Sequence, residues 1–188
     1  MKNNLSKKYV IKIPKNIFVF LTNRNVITFL GPLGIKSIKL YNKIVVKNEK
    51  QQILVTSLAF SQQLSVKKKL IKRFQKTYVT LLKQKINEVT GKMKKRLNLV
   101  GIGYRAIILE KKYLHLKLGF SHFVFFKIPN NLKIMCPRPT KILISGNHQQ
   151  EINNIAFLIK SYKIPDSYKG KGILHDNEKI ILKEGKKV

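Results

Sequence analysis

The sequence has no tryptophan, a single cysteine and only 8 acidic residues among 188. Each shortage removes a class of explanation. With Cys136 alone, no intrachain disulfide can form, which suits a reducing interior. So few acids leave little material for acid–base catalysis or for carboxylate metal sites. Asp176 and Glu178 form the only close carboxylate pair, in a lysine-rich tail with no third ligand beside them. His115, His122, His148 and His175 are scattered and lack metal-ligand spacing. No Ser-His-Asp order and no G-x-S-x-G elbow occurs, and GPLGIKS at 31–37 lacks P-loop spacing. No catalytic residue, metal or cofactor is expected.

Long hydrophobic runs are also missing. IFVFL at 17–21 and AIIL at 106–109 fall far short of the roughly 20 residues a spanning helix needs. MKNNLSKKYV starts basic but leads into no apolar run with a cleavage site, so no signal peptide is expected. No Arg- and Ser-rich leader is legible either.

What the chain has in excess is positive charge. Lysine and arginine total 39, and the formal net charge is +31. An isolated fold with that imbalance repels itself, so a polyanion partner is expected. Nucleic acid comes first, because each neutralised phosphate releases counterions and adds affinity. An anionic membrane surface comes second. Hydrophobic residues at 44% suffice for packed cores. The bias towards Lys, Asn and Ile suggests an AT-rich genome, such as an organelle's own, and a mitochondrial product; a plastid or a bacterial cytoplasm is the alternative.

Residues 10–60 read as short alternating strands broken by turns, among them GPLG at 31–34. From Ser65 the period becomes helical, with Val66, Leu70, Phe74, Tyr78, Leu81, Leu82, Ile86 and Val89 as the apolar stripe. Ser65 is the expected N-cap and Gly91 the stop. KMKKR at 92–96 reads as a linker. Strands return through LNLVGIGYRAII, YLHLKLGF, FVFFKIP, LKIMCP and KILISG. A second helix comes next, with Asn147 as cap, Gln150 at the capping-box position, and Ile152, Ile155, Ala156 and Ile159 inside.

The halves echo each other. IKIPKNIFVFLTNRNVITFLG at 11–31 aligns without gaps on FKIPNNLKIMCPRPTKILISG at 126–146. The expected fold is therefore α+β: two similar small domains, each an antiparallel sheet packed with one helix, from an internal duplication. The expected limits are an N-terminal extension at 1–9, a first domain at 10–91, the linker at 92–96, a second domain at 97–160 and a basic RNA-binding tail at 161–188.

GIGYRA at 101–106 matches G-x-G-x-x-A, but a dinucleotide site needs a helix next. The residues after it, IILEKKYLHLKLGF, alternate at period two, so a closely packed strand is expected instead. The tail stretch SYKIPDSYKGKGILHDNEKI at 161–180 combines lysines, tyrosines, proline and glycines. Charge for phosphates, glycine for close approach and flat rings for stacking suit a segment that threads into folded RNA.

LVGIGYRA at 99–106, LKLGFSH at 116–122, IP at 128–129, PRPTKILISG at 137–146 and SYKIPDSYKGKGI at 161–173 resemble the large-subunit ribosomal protein six (L-six) family of bacteria and organelles. IKIPKNI and VITFLGPLG extend the resemblance more loosely into the first half. Ser167 and Phe123 stand where the family favours proline, and Lys160 and Lys163 replace its arginines. The resemblance implies a non-enzymatic structural constituent of the large subunit. It implies binding to large-subunit rRNA near the sarcin-ricin loop and the stalk base, beside neighbouring ribosomal proteins and the translation-factor docking region. No membrane and no homo-oligomer are expected; a non-ribosomal RNA chaperone is the alternative. The expected rRNA contacts are Lys160, Tyr162, Lys163, Tyr168, Lys169, Gly170, Lys171 and Gly172, with Lys92, Lys94, Lys95 and Arg96 at the junction.

Overall fold

A computed structural model describes residues 9–22, 25–40, 44–49, 52–57, 65–110 and 112–185. The chain divides into two compact units, Met1–Gly91 and Lys92–Val188.

The first unit contains β1 (Tyr9–Lys12), β2 (Phe18–Thr22), β3 (Val26–Gly31), β4 (Gly34–Lys39), β5 (Ile44–Glu49), β6 (Gln52–Ser57) and α1 (Ser65–Thr90). The strands form two antiparallel sheets, ordered β1-β6-β5 and β2-β3-β4. Alternating β-branched and aromatic residues drive this, since one side of each strand can be buried at period two. Ile27, Phe29, Ile53 and Val55 meet Val79, Leu82, Ile86 and Val89 of α1 in the core. Each such side chain contributes about 1.5–3 kcal/mol by leaving water. The helix end is pinned at the β3–β4 turn, where the Leu33 N–H donates to the Val89 carbonyl at 3.2 Å.

The second unit contains β7 (Met93–Val100), β8 (Arg105–Leu109), β9 (Tyr113–Lys117), β10 (Val124–Lys127), β11 (Leu132–Arg138), β12 (Lys141–Gly146), α2 (Gln149–Ser161) and β13 (Gly172–His175). Its sheets are ordered β10-β9-β8 and β11-β12-β7-β13. Leu97, Leu99, Ile142, Ile144 and Ile173 pack against Ile152, Ala156 and Ile159 of α2.

The duplicated α+β architecture is present, with two sheets per unit rather than one. Its repeat does not run in the register of the sequence echo. Taken in chain order, β1-β6-β5 corresponds to β7-β12-β11, β2-β3-β4 to β8-β9-β10, and α1 to α2; β13 is an addition. The echo instead lays β1–β3 on β10–β12, and continued onward it would lay β4 on the start of α2. Period-two strand pairs recur inside each unit, so an apolar pattern alone does not say which strands correspond.

Several local expectations are corrected. Residues 93–96 of the expected linker belong to β7, which pairs with β12 on one side and β13 on the other. Lysine hides the period: Lys94 and Arg96 are exposed, while Lys95 turns the other way and its Nζ donates to Asn153 at 3.0 Å. The N-cap of α2 is His148, not Asn147, and no side chain caps it, so the capping box with Gln150 does not form. Leu70 and Phe74 of the expected α1 stripe are exposed, whereas Gln75 and Glu88 are buried. The side chains of Ser65 and Val66 and the expected extension up to residue 8 lie outside the described residues.

GIGYRA leads into β8, with no helix. What approaches its glycine is a ring: a Cβ on Gly101 would lie 2.8 Å from the Tyr104 ring, and one on Gly119 would lie 3.0 Å from it. Among the described residues no helix is long and apolar enough to cross a membrane.

Candidate nucleic-acid interface

The tail is folded onto the second unit over most of its described length. Tyr162 ends α2 in helical conformation, and its N–H donates to the Ile159 carbonyl at 3.3 Å. A compact turn comes next. The Asp166 carboxylate accepts from the N–H groups of Lys169 at 3.1 Å and Tyr168 at 3.3 Å. Those bonds hold its carboxyl below the usual range. The Gly170 N–H donates to the Asp166 carbonyl at 3.0 Å, with φ 68°, a conformation that favours glycine. This turn presents Ser167, Tyr168 and Lys169 to solvent, with Tyr168 60% exposed. Lys163 Nζ sits 4.4 Å from the Phe120 ring centroid, within cation–π range.

The glycines therefore do different work from that expected. Gly172 is buried, and a Cβ there would lie 2.5 Å from Pro165 Cα. The close approach it permits is to this protein's own backbone. That contact lets β13 lie along β7, with Ile173 fully buried, so 172–175 form a core strand rather than an exposed tail. Lys160 is also drawn into the structure: it pairs with Glu178 at 2.5 Å and its side chain is only 19% exposed. Lys92, Lys94, Arg96, Tyr162, Tyr168 and Lys169 remain exposed, while Lys163 and Lys171 are half-buried.

Lys94 and Arg96 lie on the side of the β11-β12-β7-β13 sheet away from α2. Strand pairing sets Ser145 between Lys94 and Lys133, and Leu143 between Arg96 and Met135. One step on, Lys141 pairs with Asn98 and with Arg138. Lys94, Arg96, Lys133, Arg138 and Lys141 are all exposed, and together they make a cationic face. Arg96, Arg138 and Lys141 line a cleft of about 360 Å³ on it. Sequence reasoning misses Lys133, Arg138 and Lys141 because they reach Lys94 and Arg96 only across strands. The one available signal is the outward parity of PRPTK and LKIMCP against KMKKR.

The carboxylate pair is structural. Asp176 lies 3.5 Å from Arg96 and accepts from Asn98 at 3.2 Å, while Glu178 accepts from Lys160 and from the His175 N–H. Among the described residues no group of His, Cys, Asp and Glu comes together to hold a metal.

This corner is acid-sensitive. The bond from Lys160, followed by that from the His175 N–H, holds Glu178 below its usual range. Burial, helped by the charges of Lys95 and Lys160, lowers His175. Both groups bind protons less readily folded than unfolded, so stability rises with pH across their range. It is complete above about 6.5, the ordinary histidine value. It declines as the pH falls through that point, and further below the ordinary glutamate value of about 4.3. The thermal midpoint is expected to drop between pH 7 and pH 4, with His175→Gln flattening the upper part of the curve. Identical profiles for both proteins would show that His175 does not contribute.

The second unit of this duplicated α+β fold thus carries both a cationic sheet face and an exposed, tyrosine-bearing turn. Residues 100–176 match the model of the family described as Ribosomal protein L6. "Large ribosomal subunit protein uL6" of Mycoplasmoides gallisepticum is 38% identical over 179 residues, covering 94% of this chain and 93% of the relative. The protein of the same name from Mesoplasma florum is 36% identical over 177 residues, 94% of each chain. That from Rhodopseudomonas palustris is 34% identical over 188 residues, 98% of this chain and 99% of the relative. The chain belongs to the ribosomal protein L6 family. These relatives are bacterial, which agrees with the bacterial alternative and lends the mitochondrial expectation no support.

Proposed function

We propose that this protein is a non-catalytic constituent of the large ribosomal subunit that holds large-subunit rRNA through its second unit. The observation that carries the reading is the cationic face of Lys94, Arg96, Lys133, Arg138 and Lys141, which stands open on a sheet whose other side is sealed by α2. The paired strands fix the spacing of the charges, so no backbone ordering is added to the side-chain cost of pairing them with phosphates. The turn bearing Tyr168 and Lys169 adds a ring and a charge on a hydrogen-bonded frame. The sarcin-ricin loop and stalk base, with the ribosomal proteins there, are the sites we assign to this surface, on the strength of family membership and the SYKIPDSYKGKG stretch.

Sedimentation of a lysate tests the reading. The protein is expected to co-sediment with large subunits through a high-salt wash and to be released by nuclease. Migration as a light species, or release at modest salt, would overturn it. Location is tested by cleavage from an iron chelate tethered at a cysteine introduced for Lys169, after Cys136→Ser. Cuts are expected in rRNA around the sarcin-ricin loop, and cuts confined to distant helices would refute the placement.

A further inference from the structure

The outward side of the β8–β9–β10 sheet plays no part in the cationic face above. Ala106, Leu114 and Leu116 are buried beneath it. Above them the strands align Ile107, His115 and Phe125 in one cross-strand row. Phe125 is 59% exposed and Phe123, just before β10, is 47% exposed. His115 lies between them, 4.9 Å from Phe125 at an interplanar angle of 22°, and 4.5 Å from Phe123 at 56°. Its buried Nε2 has no hydrogen-bond partner among the described residues. The result is a strip of three rings on the sheet, with the two phenylalanines open to solvent and His115 half-buried between them.

Cations bound the strip at both ends. Arg105 pairs directly with Lys117 across β8 and β9, and Lys127 pairs with Tyr113 across β10 and β9. Like charges placed opposite each other on a sheet repel, and an anion seated between them relieves that repulsion. The outward positions of these three strands carry no acidic residue. A purely apolar partner would meet the rings but leave the facing cations unpaired. An unpaired nucleotide strand satisfies both, because every base has a face to stack and every linkage a phosphate.

We propose that this sheet face binds unpaired RNA nucleotides. Bases stack on Phe125 and Phe123 beside His115, and phosphates pair with Arg105, Lys117 and Lys127. The assignment rests on the RNA-binding function above and adds a second, chemically distinct surface for it.

The test uses the full-length protein, a labelled oligoadenylate and an RNA duplex. The variant Phe123→Leu/Phe125→Leu keeps exposed apolar side chains and removes the rings. Base–aromatic stacking predicts a loss of about tenfold in oligoadenylate affinity, with duplex affinity unchanged. Unchanged oligoadenylate affinity would overturn the proposal and leave a protein neighbour as the occupant. Parallel loss of both affinities would also overturn it, since the rings would then act through the fold. If the wild type binds the oligoadenylate in a ring-dependent way but ignores duplex, the cationic-face reading fails while this one stands.

Discussion

Gly172→Ala is expected to cost about 3 kcal/mol of folding stability, within the range for a forced fit plus lost burial. The added methyl would lie 2.5 Å from Pro165 Cα, 2.7 Å from Pro165 N and 3.0 Å from the Ile164 carbonyl carbon. These are backbone atoms, so no rotamer change relieves the clash. Either the Ile164–Pro165 segment moves or β13 leaves β7. The second course exposes Ile173 and Leu174, buried side chains worth about 1.5–3 kcal/mol each. It also loosens the Asp176 and Glu178 contacts just beyond the strand. Against a typical domain stability of about 5–15 kcal/mol the loss is large. Denaturant unfolding measures it, and amide exchange at Leu174, which pairs with Asn98 across the strands, localises it to the β7–β13 seam. Gly185→Ala is the control, because open space surrounds that position. Equal midpoints for both variants would show that β13 yields without cost.

The same glycine shows what is legible in the sequence and what is not. Most strands, both helices and the α+β class follow from periodicity, because burial on one side leaves a period of two or 3.6 in the chain, whereas β13 and the start of β7 do not. The role of Gly172 does not follow. A glycine between lysines looks like a place for a phosphate, and only the folded chain brings Pro165 against it. Lysine causes the second kind of error. In KMKKR every long stem can serve either side of a strand, so only parity with Leu97 and Leu99 separates Lys95, bonded to α2, from Lys94 and Arg96 on the open face. Lys160 reads as an RNA contact, yet its partner Glu178 lies 18 residues on and meets it only because β13 folds back. Lys133, Arg138 and Lys141 escape notice for the converse reason: they are isolated in sequence and adjacent only across the sheet.

Replacing Lys94, Arg96, Arg138 and Lys141 together with glutamine is expected to weaken binding to a large-subunit rRNA fragment about a hundredfold. At ~0.7 kcal/mol for each exposed charge contact, four contacts come to ~2.8 kcal/mol, which is on the order of that factor. The salt dependence is the sharper readout. Each lost phosphate contact lowers the slope of log affinity against log salt by about 0.7–0.9, so four lower it by about 3. The fold should survive, since the only ion pair removed among the described residues is Arg96–Asp176 at 3.5 Å, partly exposed and therefore weak. Net charge alone could produce some loss, because the change takes +31 to +27 (31 − 4). The comparison is therefore Lys69, Lys72, Lys76 and Lys83, exposed along α1, replaced in the same way. That variant carries the same net charge, so long-range attraction falls equally in both. A much larger loss and slope change for the sheet face means that it makes phosphate contacts while the helix supplies only field. Equal losses would mean that the sheet face is not preferred over the helix, and the cationic face would have no special claim to the rRNA.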